Sequence, residues 1–201
     1  MTANLDGGRR NQKQRTRTAI IEAARSFVQS GAAPTMPAVA QKALVSEATA
    51  YRYFPDLAAL LREALAGVWP TAEEVMAPVS HVRDVTSRVA FATEALMREV
   101  QAHEGAVRVM MSTTIARPAS STLRPGRRFG LIDIALEPLA ASLGAAEPDA
   151  LAQLGRDLAV VVSAEAYFTL IDLCKLTPEE AIASAVRTAT TLVRAASSAA
   201  R

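Results

Sequence analysis

Apolar residues recur along this chain at helical spacing, in a background so rich in alanine that 42 of 201 residues are Ala. Ala is the best helix former. Nine Gly and ten Pro supply the breaks, and period-two runs of Val, Ile and Thr are nearly absent. An all-α fold follows. Half of the residues are hydrophobic, enough to bury a sizeable core in one large or two small domains. The longest unbroken apolar runs are five residues, Leu57–Leu61 and Leu158–Val162, against about 20 for a membrane-spanning helix. Met1–Arg10 is polar and lacks an apolar signal region. A single cysteine, Cys174, excludes a disulfide framework and a multi-thiolate zinc cluster. These features predict a soluble, cytoplasmic protein with no membrane partner.

The net charge of +2 conceals an uneven distribution. Residues 1–66 carry nine basic and five acidic side chains, for +4; the remainder carries thirteen and fifteen, for −2. Five positive charges and no acid fall within Arg9–Arg17. Such a stretch suits a phosphate backbone, where each neutralising contact releases counterions; it also suits a solvated N-terminal arm. Residues 1–14 are expected as a basic flexible arm.

Ile20, Ile21, Ala24, Phe27 and Val28 mark an amphipathic helix that stops at Gly31. Thr35 is a candidate N-cap for a short second helix with Pro37 in its first turn and Met36, Val39, Ala40 and Ala43 on one face. After Leu44-Val45, Ser46 can cap a third helix reaching Phe54, which Pro55 ends. Asp56 can cap a fourth, with Leu57, Leu60, Leu61, Ala64 and Leu65 as its stripe. Longer helices are then expected at about 72–79, 84–103, 105–117, 127–143, 149–174 and 178–197. Pro138 should kink or split the fourth of these. Thr177-Pro178-Glu179-Glu180 sets a cap, a first-position proline and a third-position Glu before the last.

The second and third helices, about three residues apart, form a helix-turn-helix candidate. Tyr51-Arg52-Tyr53-Phe54 gathers three of the chain's nine aromatics. Ala50 and Phe54 can face a core, leaving Thr49, Tyr51, Arg52 and Tyr53 outward or sideways. Phenol hydroxyls donate to phosphates and flat rings pack on sugars and thymine methyls; the two tyrosines could equally be half-buried packing residues.

The pattern Arg17-x-x-Ile20 … Ala24 … Phe27-x-x-x-Gly31, Thr35 … Val39-Ala40, Val45-Ser46-x-x-x-x-Tyr51-x-x-Phe54-Pro55 … Leu60-Leu61 resembles the N-terminal DNA-binding domain of the tetracycline-repressor (TetR) family of transcriptional regulators. The resemblance implies a three-helix DNA-binding domain over 15–66, followed by a larger helical ligand-binding and dimerisation domain over 67–201. It implies that Thr35 donates to a phosphate, Ser46 caps the third helix, Thr49 lies at the groove, Tyr51 grips a phosphate, Phe54 is core and Arg17 lies near the DNA backbone. Glu47, Arg52 and Tyr53 complete the expected DNA-binding set. Three positions depart from the family pattern. Leu44 stands where the turn usually has Gly, and a left-handed non-Gly residue costs about 1–2 kcal/mol. Glu47 stands where a basic residue is common; it opposes phosphate, but it can accept from a cytosine amino group or favour the start of its helix. Leu57 stands where a phosphate-binding Lys is frequent.

In the C-terminal part, Trp69, Met110, Phe129 and Tyr167 are the candidate lining of an effector pocket, and a small, largely hydrophobic effector is expected. Each could also simply fill the core. Leu158, Val162, Ala185 and Ala189, on helices rich in small residues, are candidates for a homodimer interface; intramolecular packing is the other reading. His81 and His103 lie in no metal-ligand spacing, and no hydrolase, Walker or dinucleotide motif occurs, so no metal, cofactor or catalytic residue is expected. The sequence thus predicts a ligand-responsive homodimeric repressor that binds a double-stranded operator. A helical small-molecule carrier or enzyme whose N-terminal domain has lost DNA binding is the alternative.

Overall fold

The computed structural model describes residues 3–66, 69–115, 127–143 and 148–199. Among these the secondary structure is helical, with no strand: α1 Ala3–Gln29, α2 Met36–Lys42, α3 Glu47–Tyr53, α4 Leu57–Leu65, α5 Ala72–Met76 with a 3-10 turn at Ala77–Val79, α6 Val85–Ala102, α7 Glu104–Ile115, α8 Arg127–Leu143, α9 Pro148–Val161, α10 Ala164–Phe168 running into a π turn at Thr169–Leu173, and α11 Pro178–Ala199. They divide into two compact units. One gathers α1–α4 and α7, the other α5, α6 and α8–α11. The expected boundary near residue 66 is therefore crossed a second time, because α7 returns to the N-terminal unit.

In the N-terminal unit each short helix begins at a polar cap. Thr35 Oγ1 accepts from the Ala38 amide at 3.3 Å, Ser46 Oγ from the Thr49 amide at 3.2 Å and Asp56 Oδ1 from the Ala59 amide at 2.7 Å. These caps satisfy amides that a helix leaves unpaired. Gly31, in the left-handed region at φ +73°, terminates α1 as expected. The core joins Ile20, Ala24, Val39, Ala50, Phe54, Leu60 and Ala64. A smaller cluster of Val28, Leu61, Leu65 and Ala106 brings in α7. Gly105 permits that approach: a Cβ there would stand 2.8 Å from the Ala33 Cα and nitrogen. The segment expected as a flexible arm is different in the structure. From Ala3 onward it is the leading part of α1.

The second unit is built on a core of Met76, Val89, Leu96, Leu131, Ile132, Leu136, Leu158 and Val193. Pro138 does not split α8, which runs unbroken from Arg127 to Leu143. A proline deprives the carbonyl four residues earlier of its donor, and that carbonyl is Ile134. Arg88, only 3 % exposed, supplies the replacement: its Nη2 donates to Ile134 O and, at 3.1 Å, to Glu137. Its Nη1 donates to the carbonyls of Val79, Ser80 and Val82 at 3.2–3.3 Å, so one buried guanidinium also closes the end of the 3-10 turn. The single helix expected over 149–174 is broken. Val162 and Ser163 leave it, and Ser163, at φ −154°, caps α10 by accepting from the Ala166 amide at 3.0 Å. The cap expected at Thr177 is present, with the Thr177 amide donating to Glu180 at 2.9 Å. No described helix is long and apolar enough to cross a membrane.

Candidate nucleic-acid interface

α2 and α3 are joined by a tight turn whose geometry can be traced bond by bond. The Leu44 amide donates to Gln41 O at 3.1 Å and the Val45 amide to Ala40 O at 3.0 Å. This is a Schellman closure, which requires a left-handed residue at its centre. Leu44 occupies that position at φ +57° and is 92 % exposed. The expectation of a strained non-Gly turn residue holds: the Cβ crowds the backbone in this region, and the exposed side chain packs against nothing that would offset the cost.

The seven residues of α3 are sorted by the packing beneath them. Ala50 is fully buried and Phe54, just past the helix, nearly so. Tyr53 is half-buried against the same core, with the Arg52 guanidinium 5.8 Å from its ring centroid. Tyr51 is 46 % exposed. Of the two tyrosines left open by the sequence, one therefore faces solvent and the other packs. The Thr49 hydroxyl lies 2.9 Å from Ser46 Oγ, so the expected cap and the expected groove residue together stiffen the start of the helix. Thr35, the cap of α2, is exposed and its hydroxyl hydrogen is not spent on the cap, where the oxygen accepts. Glu47, Ala48 and Arg52 are exposed as well.

Arg17 is drawn into the fold more than the resemblance implied. Both of its terminal nitrogens donate to the Glu63 carboxylate on α4, and its guanidinium lies 5.1 Å from the Phe54 ring centroid. Arg10 and Lys13 precede it by seven and four residues, hence on the same stripe of α1, and they are exposed. The stripe that buries Ile20 and Ala24 thus becomes basic toward the start of the helix. Arg25, a turn beyond Ile21, donates to Ala64 O at 2.7 Å. Leu57 packs partly buried against the unit's core, which is what an apolar residue at that position buys in place of a phosphate contact.

The remaining expected residues are placed differently. Trp69 and Met110 pack in the N-terminal unit, Trp69 stacked on His103 with centroids 6.0 Å apart. Phe129 and Tyr167 belong to the other unit, Phe129 52 % exposed and Tyr167 fully buried against Phe168. The four do not assemble as one lining within either unit. Leu158, Val162, Ala185 and Ala189, expected between protomers, are 0–2 % exposed within the protomer itself. Their side chains fill its own interior, so a partner would have to meet the opposite faces of α9 and α11. Arg88 and Ser163 escaped the sequence reading. The serine followed by a helical run at 164–168 was a legible cap signal, but nothing local marks the arginine.

A capped helix, a Schellman turn and a second capped helix with an outward Tyr-Arg face, packed with α1 and α4 around one core, define a helix-turn-helix DNA-binding unit. The sequence profile of the bacterial regulatory proteins of the tetR family matches residues 20–64, the span of these elements. Those residues are a DNA-binding domain of the TetR type, and the chain is a DNA-binding transcriptional regulator. No curated protein matches its sequence.

Proposed function

We propose that the protein is a cytoplasmic, homodimeric repressor that leaves its double-stranded operator when a small, largely hydrophobic molecule binds the second helical unit. The observation that carries the reading is the outward face of α3, whose side chains the fold does not need. On this reading Tyr51 and Thr35 hold phosphates, while α3 lies in the major groove. A seven-residue helix spans only about 10 Å and reads few base pairs, which favours two heads on half-sites about one turn, ~34–36 Å, or a multiple apart. The outward side of α11 suits a partner: Thr188 and Thr191 donate to Ser184 O and Arg187 O at 2.9 and 2.8 Å, so covering them orphans no hydroxyl. Val160, 71 % exposed on α9, which packs against α11, offers further apolar area.

The test is binding of the full chain to fragments selected from genomic DNA, titrated with salt. A regulator gives a sequence-selective complex whose log K falls against log salt by about 0.9 per neutralised phosphate, and a concentration-dependent dimer. No selection and a flat salt response would favour the carrier or enzyme reading instead.

A further inference from the structure

Four side chains of α3 are turned to solvent, and of these only Arg52 has an internal contact among the described residues, with the Tyr53 ring. Ala50 and Tyr53 face the core, and Thr49 is tied to Ser46. Glu47, Ala48, Tyr51 and Arg52 are exposed, and their spacing of i, i+1, i+4 and i+5 puts them on one stripe. The leading pair is an acid and a methyl group; the trailing pair is a phenol and a guanidinium.

Glu47 is the anomaly in this stripe. Ser46, not Glu47, caps α3, and among the described residues the Glu47 carboxylate takes no hydrogen bond or ion pair. It therefore stands unneutralised on the surface that meets a polyanion, where phosphates repel it. A duplex offers a carboxylate few partners. In the major groove guanine presents N7 and O6, both acceptors, thymine presents O4, also an acceptor, and adenine sets an acceptor N7 beside its amino group. Cytosine alone presents a donor, its N4 amino group, with no acceptor of its own beside it. In helix-turn-helix complexes the early residues of the second helix are those that contact base edges, and Glu47 is the first of α3. Ala48, next to it, has only a methyl group, the partner suited to a thymine methyl.

We propose that Glu47 is a specificity residue that accepts from the N4 amino group of one cytosine in each operator half-site, and that Ala48 lies against an adjoining base edge. The assignment rests on the reading of α3 as the groove-entering helix. Its energetic logic is discrimination rather than adhesion: the carboxylate weakens every complex without a correctly placed cytosine and is satisfied only where one is present.

The experiment selects bound duplexes from a randomised library with the full-length protein and with Glu47→Gln and Glu47→Ala. Thermal unfolding of each variant confirms that an exposed substitution has left the fold intact. The expected wild-type motif contains one strongly preferred C·G pair per half-site. Glu47→Gln shifts that pair toward A·T, since an amide can donate to N7 and accept from N6 of adenine, with a change in preference of about tenfold or more. Glu47→Ala flattens that position alone and raises affinity for unrelated DNA. If the wild type and both variants enrich the same motif at every position, the proposal is overturned while the regulator reading stands. If the wild type enriches no motif at all, both fall together.

Discussion

Replacing Leu44 by glycine should stabilise the DNA-binding unit, and the size of the gain can be worked from the turn. Leu44 holds φ +57° at the centre of the Schellman closure. The left-handed conformation costs a residue with a Cβ about 1–2 kcal/mol. Glycine removes that cost but has more unfolded-state freedom to lose, about 0.5–1 kcal/mol. Burial adds almost nothing to either side, because the Leu44 side chain is 92 % exposed. Taken near the middle of both ranges, the difference leaves a net gain of about 0.5–1 kcal/mol. Leu44→Ala is the control: it deletes the same exposed atoms and keeps the Cβ, so it should change stability little. Leu44→Asn should fall between, since Asn tolerates this region better than other residues with a Cβ. The assay is native-state hydrogen exchange at the Val45 amide, which donates to Ala40 O across the turn. After correction for intrinsic exchange rates, a gain of this size slows it about two- to fivefold. Equal protection in Leu44→Gly and Leu44→Ala would show that the turn stores no strain and would refute the reasoning.

Two further pairs of substitutions test the packing and the hydrogen bonding of the fold. Gly105→Ala should destabilise by about 1–3 kcal/mol, the usual cost of overpacking, because its Cβ meets the Ala33 backbone at 2.8 Å; Gly155→Ala, within α9 and with nothing within 4 Å of the added Cβ, should stabilise by about 0.5–1 kcal/mol. Chemical denaturation of the two variants should separate them in sign, and a gain at Gly105 would show that the Ala33 loop yields freely. Arg88→Met should cost about 1–3 kcal/mol by leaving the carbonyls of Val79, Ser80, Val82 and Ile134 without their charged donor. Pro138→Ala should restore about 1 kcal/mol more in that variant than in the wild type, since alanine returns an amide to Ile134 O; a double-mutant cycle showing simple additivity would mean that Arg88 does not substitute for the missing amide.

The parts legible in the sequence are those set by neighbours a few residues apart. Thr35, Ser46, Asp56 and Thr177 cap the helices they precede, and Leu44 takes the left-handed position that a missing glycine implied, because caps and turns are local chemistry. The stripes at Ile20–Ala24 and Leu57–Leu65 gave the core of the DNA-binding unit for the same reason. What sequence could not show depends on distant partners. Arg17 reads as a DNA contact until Glu63, 46 positions away, is found holding it. Pro138 reads as a break until Arg88 is found at Ile134 O. Leu158 and Ala189 read as an interface because small and apolar residues suit any close helix contact, and periodicity does not say whether the neighbouring helix belongs to the same protomer.

The placement of charge in the DNA-binding unit points to selectivity obtained at the expense of general adhesion. Arg17 has its charge matched by Glu63, Leu57 contributes to the core rather than to a phosphate, and Glu47 adds an exposed negative charge to the face of α3. Each choice lowers the number of phosphates one head can neutralise, and affinity for arbitrary DNA falls steeply with that number. The cations left exposed include Arg10, Lys13 and Arg15 along the leading part of α1, and Arg52 on α3. A single head so equipped would hold an operator weakly at ordinary salt. Joining two heads raises the effective concentration of the second once the first is bound, so in the proposed dimer a modest change in head separation would suffice to release the DNA. Weak individual heads would make the proposed switch sensitive, and the acid on α3 and the neutralised arginine on α1 would both act in that direction.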